Sequence, residues 1–113
     1  MPPSGFSQEA INGLLDFVGD IYNNTLTKYK GQNLSEERFL NQSIEYLNSI
    51  VEKSIPIALD GIVSELGIKG LQAFVSINFK DLINEIHQGK KSEGEAMQTE
   101  IKHIDSYLSK FKI

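Results

Sequence analysis

Few residues in this chain could do chemistry. Histidine occurs twice, at His87 and His103, and cysteine not at all. Glu100-Ile101-Lys102-His103 is an E-x-x-H, the spacing that puts two ligands on one helix face in carboxylate-bridged di-iron bundles. Such a centre needs a second E-x-x-H and two further inward glutamates. The matching stretch of the first half, Ser43-Ile44-Glu45-Tyr46, cannot supply them. Helical phasing turns Ile101 and Ile104 inward and leaves His103 to the side. The expectation is a boundary histidine, with no metal and no cofactor.

His87, Glu85 and Asp81 could do acid–base work, but they occupy the last turns of a helix that Gly89 stops. A basic side chain there complements the helix dipole, which accounts for a histidine without catalysis. Without cysteine there is no thiol nucleophile and no disulfide. No nucleophile elbow, phosphate loop or zinc pattern occurs. The apolar stripes set out below carry no inward polar groups, so no enzyme is expected.

Composition narrows the classes further. The chain has 113 residues, 40% hydrophobic and 23% charged, which suits one globular domain over 1–113. The net charge of −4 argues against nucleic acid. Tyr29, Tyr46 and Tyr107 could stack on bases, but no arginines interleave them. Arg38 is the sole arginine among 11 basic residues, a bias that fits an AT-rich genome such as a bacterium's or a phage's. No apolar run approaches a membrane span. The opening Met1 to Gln8 lacks the charged and apolar regions of a secretion signal. A cytoplasmic protein with no membrane partner is the expectation.

The elements show why the chemistry is sparse. Ser7 is a good N-cap, with Phe6 and Ile11 placed as a hydrophobic staple. Ile11, Leu14, Leu15, Val18, Ile21, Tyr22, Leu26 and Tyr29 follow at spacings of one helix face, and Gly31 ends that helix. The second helix starts near Ser35 and carries Leu40, Ile44, Leu47 and Val51. Phe39, Tyr46 and Ile50 widen its apolar arc. Ser54-Ile55-Pro56 should end it, because proline disfavours helix in the residue before it. An apolar connector over 55–63 follows and should lie on the widened face. The third helix spans 64–87, with Ile68, Leu71, Val75, Phe79, Leu82 and Ile86 inward, flanked by Phe74, Ile77 and Ile83. Ser92 and Glu95 form a capping box for the fourth, which should bury Met97, Ile101, Ile104, Leu108 and Phe111.

The halves resemble each other. SQEAINGLLDFV from Ser7 recurs as SELGIKGLQAFV from Ser64, 57 residues later. At that offset Ile11 meets Ile68, Gly13 meets Gly70, Leu14 meets Leu71, Phe17 meets Phe74 and Val18 meets Val75. Ser35, Glu36, Ile44, Ser49 and Lys53 meet identical residues further on. Glycine on glycine and serine on serine are not forced by amphipathicity. An internal duplication is expected, with repeat 1 over 7–54 and repeat 2 over 64–111. Gly13 and Gly70 should then mark where the two leading helices pack closely.

The expected fold is all-α: two tandem helical hairpins related by a pseudo-twofold axis and closed into a four-helix bundle. The expected function is a non-enzymatic protein–protein interaction module, an adaptor or small subunit of a larger assembly, with self-association to a homodimer one form of it. The candidate interface is Phe39, Tyr46, Ile50, Ile57, Leu59 and Ile62, where the halves differ. The alternative is an inhibitor or immunity-type protein that blocks one partner through exposed carboxylates such as Glu36, Glu37 and Glu45.

Overall fold

The computed structural model describes residues 5–59 and 64–113. Four helices occupy most of them: α1 (Gln8–Lys30), α2 (Glu36–Leu59), α3 (Glu65–His87) and α4 (Glu93–Ser109). Each packs against the two beside it in the cyclic order α1, α2, α3, α4, so α1 lies diagonally across from α3. Short connections between neighbours give the up-down-up-down four-helix bundle. No helix among the described residues is long and apolar enough to cross a membrane.

Every helix starts on serine. Ser7, Ser64 and Ser92 adopt extended backbone, and their hydroxyls accept the N–H three residues on, from Ala10, Gly67 and Glu95. Ser35 takes the N–H of Arg38 in the same way. Each cap satisfies a donor that the first turn would otherwise leave without a partner. Ser92 also donates to Glu95 Oε1 at 3.1 Å, so the glutamate of the capping box closes on the serine hydroxyl.

The stops differ. Gly89 ends the turn after α3 at φ 68°, the left-handed conformation that glycine adopts without cost. Its N–H bonds Ile86 and the next N–H, of Lys90, reaches back to Glu85, the paired pattern of a Schellman motif. Gly31 instead stays right-handed at φ −78°, and its N–H bonds Tyr29.

The core follows the expected stripes of α1 and α3. Ile11, Leu14, Val18, Ile21, Tyr22 and Leu26 are buried from one side, and Leu71, Val75, Phe79, Leu82 and Ile83 from the other. Phe6 is buried with Ile11, as the staple requires. At the centre, the rings of Tyr22 and Phe79 lie 5.1 Å apart and join the two diagonal helices. The Tyr22 hydroxyl donates to the Val75 carbonyl at 2.6 Å.

Four expectations are corrected. The second helix does not end before Pro56 but runs through it to Leu59, with Leu47, Val51, Ile55 and Leu59 buried at every fourth position. Continuing that stripe into the core outweighs the hydrogen bond that proline forfeits. The described part of the connector is therefore the end of α2, and Ile55 and Leu59 enter the core rather than lie on the widened face. Ile77 faces away from the α3 core side and is 58% exposed. Phe111 is past the end of α4 and is 44% exposed, resting its edge on Tyr107 at 5.5 Å.

The segment before α1 meets the segment after α4. Phe6 N–H bonds the Phe111 carbonyl at 2.8 Å, and Ile113 N–H bonds the Phe6 carbonyl at 2.9 Å. This parallel bridge needs Gly5, because a Cβ there would collide with the Phe111 carbonyl oxygen.

Proline inside a helix costs about 3 kcal/mol, and removing it restores about 1 kcal/mol of entropy to the unfolded chain. Pro56→Ala is therefore expected to stabilise the protein by about 2 kcal/mol. A higher urea midpoint at unchanged slope is the expected reading; a lower midpoint would show that the proline fits α2 to its neighbours.

Candidate functional site

Most of the candidate interface is covered by the chain itself. Tyr29 of α1 stands edge-on to both Phe39, at 6.4 Å, and Tyr46, at 5.9 Å. Phe39 also meets the His87 ring at 5.4 Å, so that histidine serves an aromatic contact. The Lys28 ammonium sits 4.7 Å from the centre of the Tyr46 ring, a cation–π contact. Ile50 packs half-buried against the core. Leu59 is fully buried and cannot reach a partner. Ile62 lies outside the described residues. Ile57 alone of the set is open, at 79% exposure.

Gly13 and Gly70 do not bring α1 and α3 together. Both are exposed. A Cβ on Gly13 would meet nothing within 4 Å, and one on Gly70 would meet only the Tyr107 hydroxyl, at 3.1 Å. The diagonal helices meet further along, through Tyr22 and Phe79. Small residues near the starts of α1 and α3 leave hollows instead. One, of about 260 Å³, is lined by Phe6, Ala10, Gly13, Leu14, Phe17 and Leu59 among others. The other, of about 250 Å³, lies between Gly67, Leu71, Tyr107, Leu108 and Phe111. Phe6 and Leu59 line both, so the two hollows share one end of the bundle.

The interior is not free of polar groups, contrary to the sequence expectation. Thr25, Ser43 and Asn78 are buried, but each bonds back to its own helix, to the carbonyls of Ile21, Leu40 and Phe74. These bonds satisfy the side chains without help from a partner helix. Glu100 is different. It is fully buried, and its Oε1 has no partner. Its Oε2 lies 3.2 Å from Nδ1 of His103, whose side chain reaches solvent. Glu85 of α3 comes within hydrogen-bonding reach of the Glu100 carboxyl, and Glu85 Oε2 is likewise buried without a hydrogen-bond partner. Lys91 stands 3.6 Å from that oxygen and donates to Thr99 at 3.1 Å.

Burial pushes the Glu100 carboxyl above the usual carboxylate range; His103 pulls it back and Glu85 pushes it further up. Burial also raises the Tyr22 phenol far above its ordinary value, with Glu100 and then Asp81 adding to the effect. The phenol therefore stays a hydrogen-bond donor at neutral pH.

Sequence reasoning missed Glu100 because it chose the neighbouring row. Met97 and Ile101 were expected inward with Ile104 and Leu108, but the buried row of α4 is Ala96, Glu100, Ile104 and Leu108. The signal was present: stepping back by fours from Leu108 gives this row, and the same step from Val51 gives Leu47 and Ser43 in α2, also buried. Among the described residues, no group of three or more histidine, aspartate or glutamate side chains is arranged to hold a metal ion.

Glycine in a helix interior costs about 0.8–1.0 kcal/mol relative to alanine. Gly13→Ala should therefore stabilise the protein by about 1 kcal/mol. Gly70→Ala should gain less, because the Tyr107 hydroxyl must yield. Chemical denaturation of the two variants makes the comparison, and equal gains would dismiss the Tyr107 contact.

No protein-family model matches the chain, no curated protein matches it, and no solved structure matches it.

Proposed function

We propose that the chain is a non-enzymatic helical interaction module, an adaptor or small subunit that meets a protein partner through one apolar end of the bundle. The observation that supports this reading most is the exposure of large apolar side chains at that end. Ile57 is 79% exposed, one turn from the buried end of α2, and Ile113 is 64% exposed beside the bridge that joins the chain ends. Phe111 adds its open edge next to a hollow. Single exposed apolar residues are ordinary on a protein surface, but two apolar hollows at the same end of the bundle favour contact with another apolar surface. A second copy of the chain is one form that partner can take, and a cytoplasmic setting fits the composition.

The same proposal takes the halves as copies of one hairpin. The starts of α1 and α3, and of α2 and α4, are each 57 residues apart, as in the sequence match. The cap bonds recur at that offset. Tyr22 and Phe79, equivalent under it, meet at the centre, as residues beside a pseudo-twofold axis would.

The second reading is an inhibitor that blocks one target with carboxylates. Glu36, Glu37 and Glu45 are all exposed on α2, which leaves them free for such a role.

Two variants separate the readings. Ile57→Asp should leave folding intact, because the side chain is exposed, yet dissolve any self-association or captured complex by at least tenfold in affinity. Changing Glu36, Glu37 and Glu45 to lysine should weaken that association far less, since Glu36 and Glu37 open α2 and Ile57 lies near its other end. Solution mass and co-purification are the measurements. The reverse pattern supports the inhibitor, and a monomer that captures nothing overturns both.

A further inference from the structure

The buried carboxyls of α3 and α4 have an arithmetic that only one additional proton balances. Two carboxylate oxygens, Glu100 Oε1 and Glu85 Oε2, are buried without a hydrogen-bond donor. They belong to side chains within hydrogen-bonding reach of each other. Ionised carboxylates only accept, so two of them facing each other satisfy nothing and repel. A single proton between them converts one oxygen to a donor and completes both.

We propose that Glu100 and Glu85 form a proton-binding site across the α3–α4 seam, in which one proton is held between Glu100 Oε1 and Glu85 Oε2 and is released as the pH rises, loosening that seam. The surroundings place the proton. Lys91 is 3.6 Å from Glu85 Oε2 and gives that oxygen a cationic neighbour. Glu100 is the more deeply buried of the two and has an imidazole beside it in place of an ammonium, so it carries the proton and donates to Glu85. Its other oxygen, Oε2, then accepts from Nδ1–H of His103 at 3.2 Å. The chain of contacts reads Lys91, Glu85, Glu100, His103, with every buried oxygen of the pair that lacked a partner now engaged.

From α1, Tyr22 faces the site, and its hydroxyl is already committed to the Val75 carbonyl. From α3, Asp81 is near enough to Tyr22 to act on it. Helix α2 lies diagonally across from α4. Loss of the proton leaves two carboxylates facing each other across the seam, and their like charges repel.

The sign follows from linkage. The folded chain holds a proton that the unfolded chain has released above the ordinary glutamate value, so stability is greatest at acid pH and falls as pH rises through the folded-state value. Within that window the unfolding constant should rise by up to tenfold per pH unit, the slope of one proton.

Urea unfolding of the full chain between pH 5 and pH 8 tests this with two variants. Glu100→Gln replaces the shared proton by an amide N–H that cannot dissociate. It should remain folded and lose the one-proton slope relative to the unaltered chain. Glu85→Gln removes the neighbouring charge that helps hold the proton on Glu100, so it should narrow the pH window of the slope without abolishing it, because the burial of Glu100 remains. Infrared spectra at about pH 6, where ordinary glutamates are ionised, should show a protonated carboxyl band that Glu100→Gln removes. If Glu100→Gln does not fold, the band and the slope in Glu85→Gln and the unaltered chain still decide the matter. Equal slopes in the unaltered chain and Glu100→Gln, or no protonated carboxyl above the ordinary glutamate range at about pH 6, would overturn the proposal. So would a rise in stability on adding magnesium or calcium chloride at pH 8 that Glu100→Gln abolishes, since a cation would then be the missing partner.

Discussion

The Tyr22 hydroxyl has to find an acceptor in the middle of the bundle, and it finds the Val75 carbonyl at 2.6 Å. Much of the arrangement depends on that contact. A buried hydroxyl without a partner costs several times what a satisfied one contributes. The bond therefore fixes how far α1 and α3 can slide past each other. With that diagonal set, the Tyr22 ring falls against Phe79, and the stripes of α2 and α4 close the two sides. Helices packed only through aliphatic side chains have many near-equivalent registers; one directional bond at the centre removes most of them.

Polar groups elsewhere in the interior are arranged more cheaply. Thr25, Ser43 and Asn78 return their hydrogen bonds to their own helices, so none of them depends on a partner's position. Glu100 and Glu85 do depend on each other. Ser76 also donates to Asn48 between α3 and α2, and Lys30 pairs with Glu93 between α1 and α4. Of the contacts in the interior, one is neutral and central and the other is ionisable and on the α3–α4 seam. Their difference in chemistry means that pH acts on one seam and not on the diagonal.

How much of this was legible in the sequence varied with the physics involved. The four serine caps, the staple at Phe6 and Ile11 and the stripes of α1 and α3 are local, and periodicity reveals them. The extension of α2 through Pro56 was not legible, because the rule that proline ends a helix is local, whereas the pull of Ile55 and Leu59 into the core is tertiary. Burial of Glu100 was missed for a related reason. A glutamate between Ala96 and Ile104 looks like a polar interruption, and hydropathy assigns the inward row to Met97 and Ile101. Only the partners on α3 show why the charge-bearing row faces in. The aromatic face of α2 was visible as a face in need of cover, but the sequence could not show that Tyr29, Lys28 and His87 provide much of that cover.

The bridge between Phe6 and the end of the chain has a kinetic meaning. It closes a loop of nearly the full length, and the entropy of closing a loop grows with its length. Nothing local favours it: Gly5 and Phe6 precede the first helix, and Phe111 to Ile113 follow the last. The bundle must bring its first and fourth helices side by side before these two hydrogen bonds can form. The bridge is thus among the final contacts of folding and adds little to its rate. It acts on the reverse step, as a latch that must break before α1 and α4 can fray apart from their shared end.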